Sequence, residues 1–411
     1  MATPLKIVLS GIGGYGGTYV HRLLDQPQPD AFALVGVVDP YASASPRYGD
    51  LVAAGIPVYP SLDAFFAEHS ADLACLCCPI QFHKEQTLCC LRHGAHVLCE
   101  KPVCPVIDDV REMIAARDAA GKAVSIGYQW SHSAAIQALK RDVLAGKYGK
   151  ALRMKTIVLW PRNHGYFHRG IGWAAHKKDK NGSWILDSVA ANATAHYLHN
   201  MLYVAGPAID RSARVAHMQA ETYRANDIEM YDTCALRLRT DAGTEMLYLV
   251  SHAVKPEETR NPEFVYEFER GTVFTERTAE NKLLIRGRLS DGTMIEYGCP
   301  DENNNWKIDW AMAVARGEEP VLCGLEAASE HTRCINRIEE LIPESPRLQN
   351  VKTIETQDAA GQTMVWTYAE GLATVLNRCY GEGLLPCETG AMGFAPAREG
   401  DMTHYDHFSG V

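Results

Sequence analysis

The hexapeptide Gly11-Ile12-Gly13-Gly14-Tyr15-Gly16 constrains this chain more than any other feature. It follows the apolar run Leu5–Ser10 and opens a stretch, Tyr15–Leu24, with helical spacing. A strand that turns on G-x-G-x-x-G into a helix is the setting this glycine pattern requires to cradle a dinucleotide. Gly11 permits the tight turn, Gly13 lets the backbone approach a pyrophosphate, and Gly16 lets the helix pack closely on the strand. Ile12, Gly14 and Tyr15 complete the loop, whose free N–H groups face the phosphates at the start of a helix. Asp39 ends the next apolar run, where a carboxylate accepts hydrogen bonds from ribose hydroxyls and repels a 2′-phosphate. NAD is therefore expected in preference to NADP, although Asp39-Pro40 is equally the sequence of a plain turn.

The first 128 residues continue that pattern. Leu5–Ser10, Ala33–Val38, Asp72–Cys77, His96–Cys99 and Ala123–Gly127 read as buried strands, since apolar residues run through them without alternation. Tyr15–Leu24, Ser61–His69, His83–Arg92 and Ile107–Ala119 read as the intervening helices. Alternation of this kind specifies an α/β fold, a doubly wound parallel sheet of the Rossmann type.

After Gly127 the period changes. Ala134–Ala145 and Asn192–Val204 read as helices, and Leu152–Trp160 as a strand. Alternating runs follow at Arg214–Tyr223, Met230–Arg239, Thr244–Ala253, Glu263–Glu269, Leu283–Leu289 and Thr293–Tyr297, with turn residues at Asp241-Ala-Gly243 and Ser290-Asp-Gly292. This is the pattern of an α+β domain with an open, largely antiparallel sheet, one face polar. Two helices near Trp306–Arg316 and Leu325–Leu341 close it. The expected division is 1–128 for a nucleotide-binding domain, 129–386 for a substrate-binding and oligomerisation domain, and 387–411 for an irregular tail.

Composition narrows the partners. Acidic residues outnumber basic ones, 50 to 40, and no block of lysine or arginine occurs. A nucleic-acid or membrane-surface partner is therefore not expected. No charged, apolar and cleavable leader precedes the glycine loop, so a cytoplasmic protein is expected. The 13 cysteines fall largely in or beside apolar runs, where the thiol behaves as a small hydrophobe, and are read as reduced core residues.

The glycine loop, Cys78-Pro79 with His83, and the run His96-Val97-Leu98-Cys99-Glu100-Lys101-Pro102 together resemble the Gfo/Idh/MocA oxidoreductases. The resemblance implies that Lys101 lies near a nicotinamide and the reacting hydroxyl, and Glu100 beside the nicotinamide ribose. It also implies that Cys78, Pro79, His83 and Gln129 border the cofactor. The family's second signature, an acid four residues before a histidine, is matched best by Asn192-Ala-Thr-Ala-His196. His196 occupies the histidine position and Asn192 that of the acid. An amide can orient a group but cannot take a proton. Asp187 is the nearest acid, and it would have to enter by a different backbone route. A metal held by His196 and His199 lacks an evident third ligand, so no metal is expected. His199 and Asn200 are read as packing or supporting residues.

The segment Trp160–Trp173 is dense in aromatic, histidine and arginine residues. Sugar faces stack on rings, and sugar hydroxyls bond to arginine and histidine. Arg162, Tyr166, Arg169 and Trp173 are the expected substrate contacts beside Lys101, Asn192 and His196. His132 and His252 are further candidates, and the paired arginines leave room for a carboxylated sugar.

These observations imply an NAD(H)-dependent dehydrogenase or reductase acting on a secondary hydroxyl of a sugar, polyol or derivative. Lys101 would move the proton, His196 would serve as its acid/base partner, and Asn192 would orient. Two alternatives stay open: glycoside cleavage through transient oxidation and elimination, and a non-catalytic NAD-binding sensor. A homodimer or homotetramer is expected, since an uncovered sheet face invites a partner.

Overall fold

The computed structural model describes residues 3–169, 172–303 and 305–410. Gly170 and Ile171 of the aromatic segment lie outside them. The chain divides into two compact units, Met1–Ser133 with Asp301–Ser329, and Ala134–Pro300 with Glu330–Val411.

The first unit is built on six parallel strands: β1 (Leu5–Ser10), β2 (Phe32–Val38), β3 (Val58–Tyr59), β4 (Leu73–Leu76), β5 (His96–Cys99) and β6 (Val124–Ile126). Their order is β3-β2-β1-β4-β5-β6. The order reverses between β1 and β4, and ligands of such sheets bind in the crevice at the carboxyl ends beside that switch. The strands are apolar because helices cover both faces. Ile7, Leu9, Val37, Cys75 and Leu98 form one core.

The sequence boundary at 128 needs one correction. Helix Trp306–Ala315 belongs to the first unit, with Ile308, Ala311 and Met312 packed into the same core. Arg22, 5% exposed, pairs with Asp309 of that helix at 2.7 Å. A helix that returns after an intervening domain carries no local mark of where its apolar stripe docks.

The second unit holds a nine-stranded sheet. Its strands are β7 (Ala151–Leu159), β8 (Val215–Tyr223), β9 (Thr233–Thr240), β10 (Glu245–Ser251), β11 (Arg260–Phe268), β12 (Gly271–Arg277), β13 (Leu283–Leu289) and β14 (Met294–Gly298), with a late edge strand. A separate hairpin, β15 (Val351–Gln357) and β16 (Thr363–Ala369), precedes that edge strand, β17 (Arg398–Asp401). The sheet order is β14-β13-β12-β11-β7-β10-β9-β8-β17. All neighbours are antiparallel except β7 with β10. β12 is missing from the sequence reading because Gly271–Arg277 pairs through its backbone with little apolar alternation.

Two further expectations for this unit are corrected. The C-terminal stretch is not an irregular tail: β17 pairs with β8, and the buried Arg333 guanidinium donates to Tyr405 O at 3.0 Å and to Met402 O and Val215 O at 2.5 Å. Nor is the open sheet face bare. Helix Leu372–Glu382 lays Leu372, Leu376 and Cys379 on Ile157, Leu159, Leu247 and Leu249. That stripe recurs at helical spacing. No described helix is long and apolar enough to cross a membrane.

Candidate functional site

In the first unit the glycine loop leaves β1 beside the switch point. Gly11 has φ +83°, and a Cβ there would lie 2.7 Å from Cys77 O; at Gly16 it would lie 2.2 Å from Gly11 O. At Gly13 and Gly14 nothing stands within 4 Å. The loop is thus tight toward the protein and open on the other side, which fits a pyrophosphate approached by bare backbone. Asp39 takes the Ile12 N–H at 3.0 Å and the Tyr41 N–H at 2.8 Å, one on each carboxylate oxygen. A carboxylate has about four lone-pair positions. Asp39 can therefore fix the loop and still accept from ribose hydroxyls.

The Glu100-Lys101-Pro102 turn leaves β5 next to that loop. Glu100 N bonds Leu76 O at 2.8 Å, and Gly127 N bonds Cys99 O at 2.7 Å, so the turn is pinned between neighbouring strand ends. The Lys101-Pro102 peptide is cis, and Lys101 is half-buried. Glu100 is only 7% exposed. Its Oε1 accepts from the Tyr19 hydroxyl at 2.7 Å and from Lys307 Nζ. Lys307 itself is 1% exposed and reaches the Tyr15 hydroxyl of the glycine loop at 3.1 Å. Burial pushes the Glu100 carboxyl up, but Lys307 and Tyr19 outweigh it and hold the group below its ordinary value. Burial likewise pulls Lys307 down, and Glu100 and Tyr15 carry it back above the usual lysine value. Both shifts describe one ion pair, charged on each side.

His83 requires a correction. Its ring is 1% exposed, with Nδ1 2.8 Å from Pro102 O and Nε2 3.0 Å from Cys78 O. It ties the Cys78-Pro79 loop to the Lys101 turn instead of facing a cofactor. Burial lowers its pKa, so the ring is neutral and donates to one of the two carbonyls. Cys78 and Pro79 are half-buried beside Gly11, with the Cys78 thiol pushed up to about 12 by burial. Gln129 accepts from the Tyr15 hydroxyl at 3.5 Å. His132, 4% exposed, is held neutral by burial, its pKa pushed down to about 4. Asp63, Cys89 and His93 form one group of metal-ligand type, but burial and Asp63 raise the Cys89 thiol to about 11, and the His93 ring stacks on Phe66. A protonated thiol is a poor ligand.

The second unit brings Asp187 to Asn192. Asn192 lies in a π-helical turn, Val189–Ala193, and its Nδ2 donates to Asp187 Oδ1 at 2.8 Å. Asp187 Oδ2 accepts the Ala175 N–H at 2.7 Å and lies 3.7 Å from Arg169 Nη2. Leu186 and Ala175, at φ +54° and +59°, are non-glycine residues in the left-handed region, and both are buried. Each such residue costs about 1–3 kcal/mol and persists where surroundings impose it. The amide in the acid's place is therefore backed by a carboxylate, which fixes which end of Asn192 accepts.

Helix Ala195–Val204 follows and carries His196, half-buried, with its ring centroid 6.3 Å from Tyr197. His199 stacks on Tyr203, and Asn200 donates to the Tyr266 hydroxyl at 3.0 Å. Both are 1% exposed and serve the core. The side chains of the aromatic segment lie close together. The Arg162 guanidinium lies 5.5 Å from the Trp160 ring centroid and 4.7 Å from that of Tyr166. Arg169 lies 3.6 Å from Tyr166 and 4.8 Å from Trp173. His252 stands 5.5 Å from Tyr166, ring to ring.

The profile of the Gfo/Idh/MocA oxidoreductases, described as an oxidoreductase family with an NAD-binding Rossmann fold, matches residues 5–128. That span holds the whole glycine loop and the Glu100–Pro102 turn. Residues 5–128 are thus similar to the NAD-binding domain of that family. Among the chain's relatives are 1,5-anhydro-D-fructose reductase of Ensifer adhaerens, 28% identical over 137 residues, and inositol 2-dehydrogenase of Rhodococcus jostii, 29% identical over 156. These alignments cover 33% and 37% of this chain. The chain spans about two fifths of the length of these curated relatives, 36% and 41%. The fold reaches further. The WlbA dehydrogenase of Bordetella pertussis, solved with NADH and UDP-GlcNAcA, superposes with a TM-score of 0.66 over 82% of this chain and 96% of its own, at 21% identity.

Sequence reasoning missed Lys307 and Tyr19, and it named Asp187 as an outside candidate for the site without seeing that it would hold the Asn192 amide. Tyr19 could have been found, since it lies one helical turn beyond Tyr15 on the loop's own helix. Nothing near Lys307 in the sequence marks it as the counter-ion of Glu100, 207 residues away.

Proposed function

We propose that the protein is an NAD(H)-dependent oxidoreductase for a secondary hydroxyl or ketone of a sugar, polyol or derivative. The observation that carries this reading is the Glu100-Lys101-Pro102 turn at the carboxyl end of β5, beside an open glycine loop and with Glu100 locked to Lys307. Gly11 to Gly16 would hold the pyrophosphate, and Asp39 the adenosine ribose, which favours NAD. When bound, nicotinamide supplies the hydride acceptor or donor.

Lys101 then has one task, to take the proton from the substrate hydroxyl or return it. Its stem leaves a turn fixed at both ends, which limits how far the amine wanders. Glu100, whose carboxylate is already engaged, anchors that turn. His196 is proposed as the acid/base partner, and Asn192, oriented by Asp187, as a hydrogen-bonding group for the substrate. Arg162, Tyr166, Arg169 and Trp173 are proposed to receive the rest of the sugar. A homo-oligomer is still proposed, but through a surface other than the sheet face that helix Leu372–Glu382 occupies.

The test is Lys101→Ala, assayed with NAD and a panel of sugars and polyols by NADH absorbance. Loss of an acid/base group should lower kcat about 10²–10⁴-fold while NADH still binds. Normal turnover in the variant removes Lys101 from the chemistry.

A further inference from the structure

Among the described residues Arg162 has no carboxylate partner, and its side chain bonds to that of Tyr166. The chain has acids to spare, 50 against 40 basic residues, so the lack of a partner is not a matter of supply. Elsewhere in the same unit Arg153 pairs with Glu267, Arg237 with Glu388 and Arg333 with Glu330. For Arg162 and Arg169 together, the recorded ion pair among the described residues is Arg169 with Asp187, at 3.7 Å. Asp187 also serves Ala175 and Asn192. Two half-buried guanidiniums thus share the Tyr166 ring, and among the described residues one positive charge is left without an acid.

The setting is built, not incidental. Arg162 N bonds His252 O at 3.3 Å and Trp160 N bonds Ser251 O at 2.9 Å, so the segment after β7 is laid along the end of β10. Asn163 caps the next turn by accepting the Tyr166 N–H at 3.0 Å, which places the ring under both cations. Stacking holds a guanidinium by its face and leaves the N–H edge to meet a planar anion in two parallel bonds.

A second, independent observation points to a ligand. His252 is 2% exposed, and its Nδ1–H donates to Trp160 O at 2.7 Å. Burial and the two guanidiniums push its pKa down to about 3, so the ring is neutral and Nε2 is a lone-pair acceptor. That nitrogen has no donor among the described residues. His252 lines a small cavity together with Tyr166, Asp187 and Tyr231. A buried acceptor left without a donor is destabilising, and a hydroxyl entering the cavity would relieve it.

We propose that the substrate is a polyhydroxylated carboxylate, of the uronate or aldonate class, whose carboxylate pairs with Arg162 while a neighbouring hydroxyl donates to His252. This rests on the oxidoreductase reading above and names its substrate class. A single uncompensated charge matches a monoanion; a phosphate ester, nearly a dianion, would leave excess negative charge beside Asp187.

The experiment is calorimetry on the NADH-loaded full chain with D-glucuronate, D-gluconate, D-glucose and glucose 6-phosphate. At least one of the two carboxylates should bind about tenfold or more tighter than glucose, and Arg162→Gln should abolish that preference with NADH affinity intact. Arg162→Lys should restore only part of it, since an ammonium cannot form the paired bonds. Equal binding of all four compounds, tightest binding of the phosphate, or a preference that survives Arg162→Gln would overturn the proposal. NADH absorbance separates the two readings: a carboxylate bound through Arg162 but never oxidised sinks the dehydrogenase and leaves the anion site standing.

Discussion

At the scale of single residues, two substitutions test how the site is charged. Lys307→Met strands the Glu100 carboxylate inside the first unit, and removing one partner of a buried pair costs about 3–5 kcal/mol. The pH dependence follows from the two shifts. With Lys307 present, the folded Glu100 pKa is depressed, so its contribution to stability is present above the unfolded value and is lost as pH falls through the folded one. In the variant the Tyr19 hydroxyl still opposes burial but the largest opposing cause, the Lys307 charge, is gone, so burial raises the folded pKa, and the group destabilises at neutral pH and is relieved as it protonates. The Tm deficit of Lys307→Met should therefore be largest near neutrality and shrink toward acid pH, and Glu100→Gln added to it should recover most of the loss. A deficit constant with pH would remove the ion pair from the account. Asn192→Asp places a second carboxyl 2.8 Å from Asp187, where the amide now donates. Like charges at that distance cannot both ionise freely. The variant should lose stability at neutral pH, regain it below the shared pKa, and report this in a Tm series against pH.

At the scale of elements, the glycine loop separates space for packing from space for a ligand. Gly11→Ala and Gly16→Ala drive a Cβ into backbone, at 2.7 Å and 2.2 Å, so both should lower Tm along with NADH affinity. Gly13→Ala meets nothing within 4 Å. It should fold with an unchanged Tm and lose NADH binding alone, because the new methyl occupies the approach to the pyrophosphate. Fluorescence titration with NADH beside a thermal melt checks both halves. This element was fully legible beforehand: β1 and β5 begin and end where the apolar runs do, and the glycines sit between strand and helix. The π-turn at Val189–Ala193 was not legible. It shifts the register of a helix expected to run unbroken from Asn192, and that shift is what lets Asp187 reach the amide.

At the scale of the molecule, the decisive feature is helix Leu372–Glu382 on the sheet face that was expected to be bare. Leu376 is fully buried there. Leu376→Ala should cost about 2–5 kcal/mol in denaturant unfolding. Leu376→Asp should loosen the helix, uncover the apolar face and drive self-association in light scattering beyond that of the wild type. An oligomer unchanged in the aspartate variant would mean that the face is dispensable for assembly and for solubility.

The sequence by itself determined the parallel sheet, its glycine loop, the Lys101 turn and the local density of arginines and aromatic rings after β7. Each of these is encoded within a few residues, by period, by glycine, or by density of one side-chain type. Tertiary structure alone decided that Glu100 faces Lys307, that Asn192 leans on Asp187, that residues 301–329 return to the first unit, and that helix Leu372–Glu382 covers the centre of the sheet. Those choices depend on which distant surfaces bury most apolar area while pairing the charges they bury, a sum over the folded chain that no local window contains.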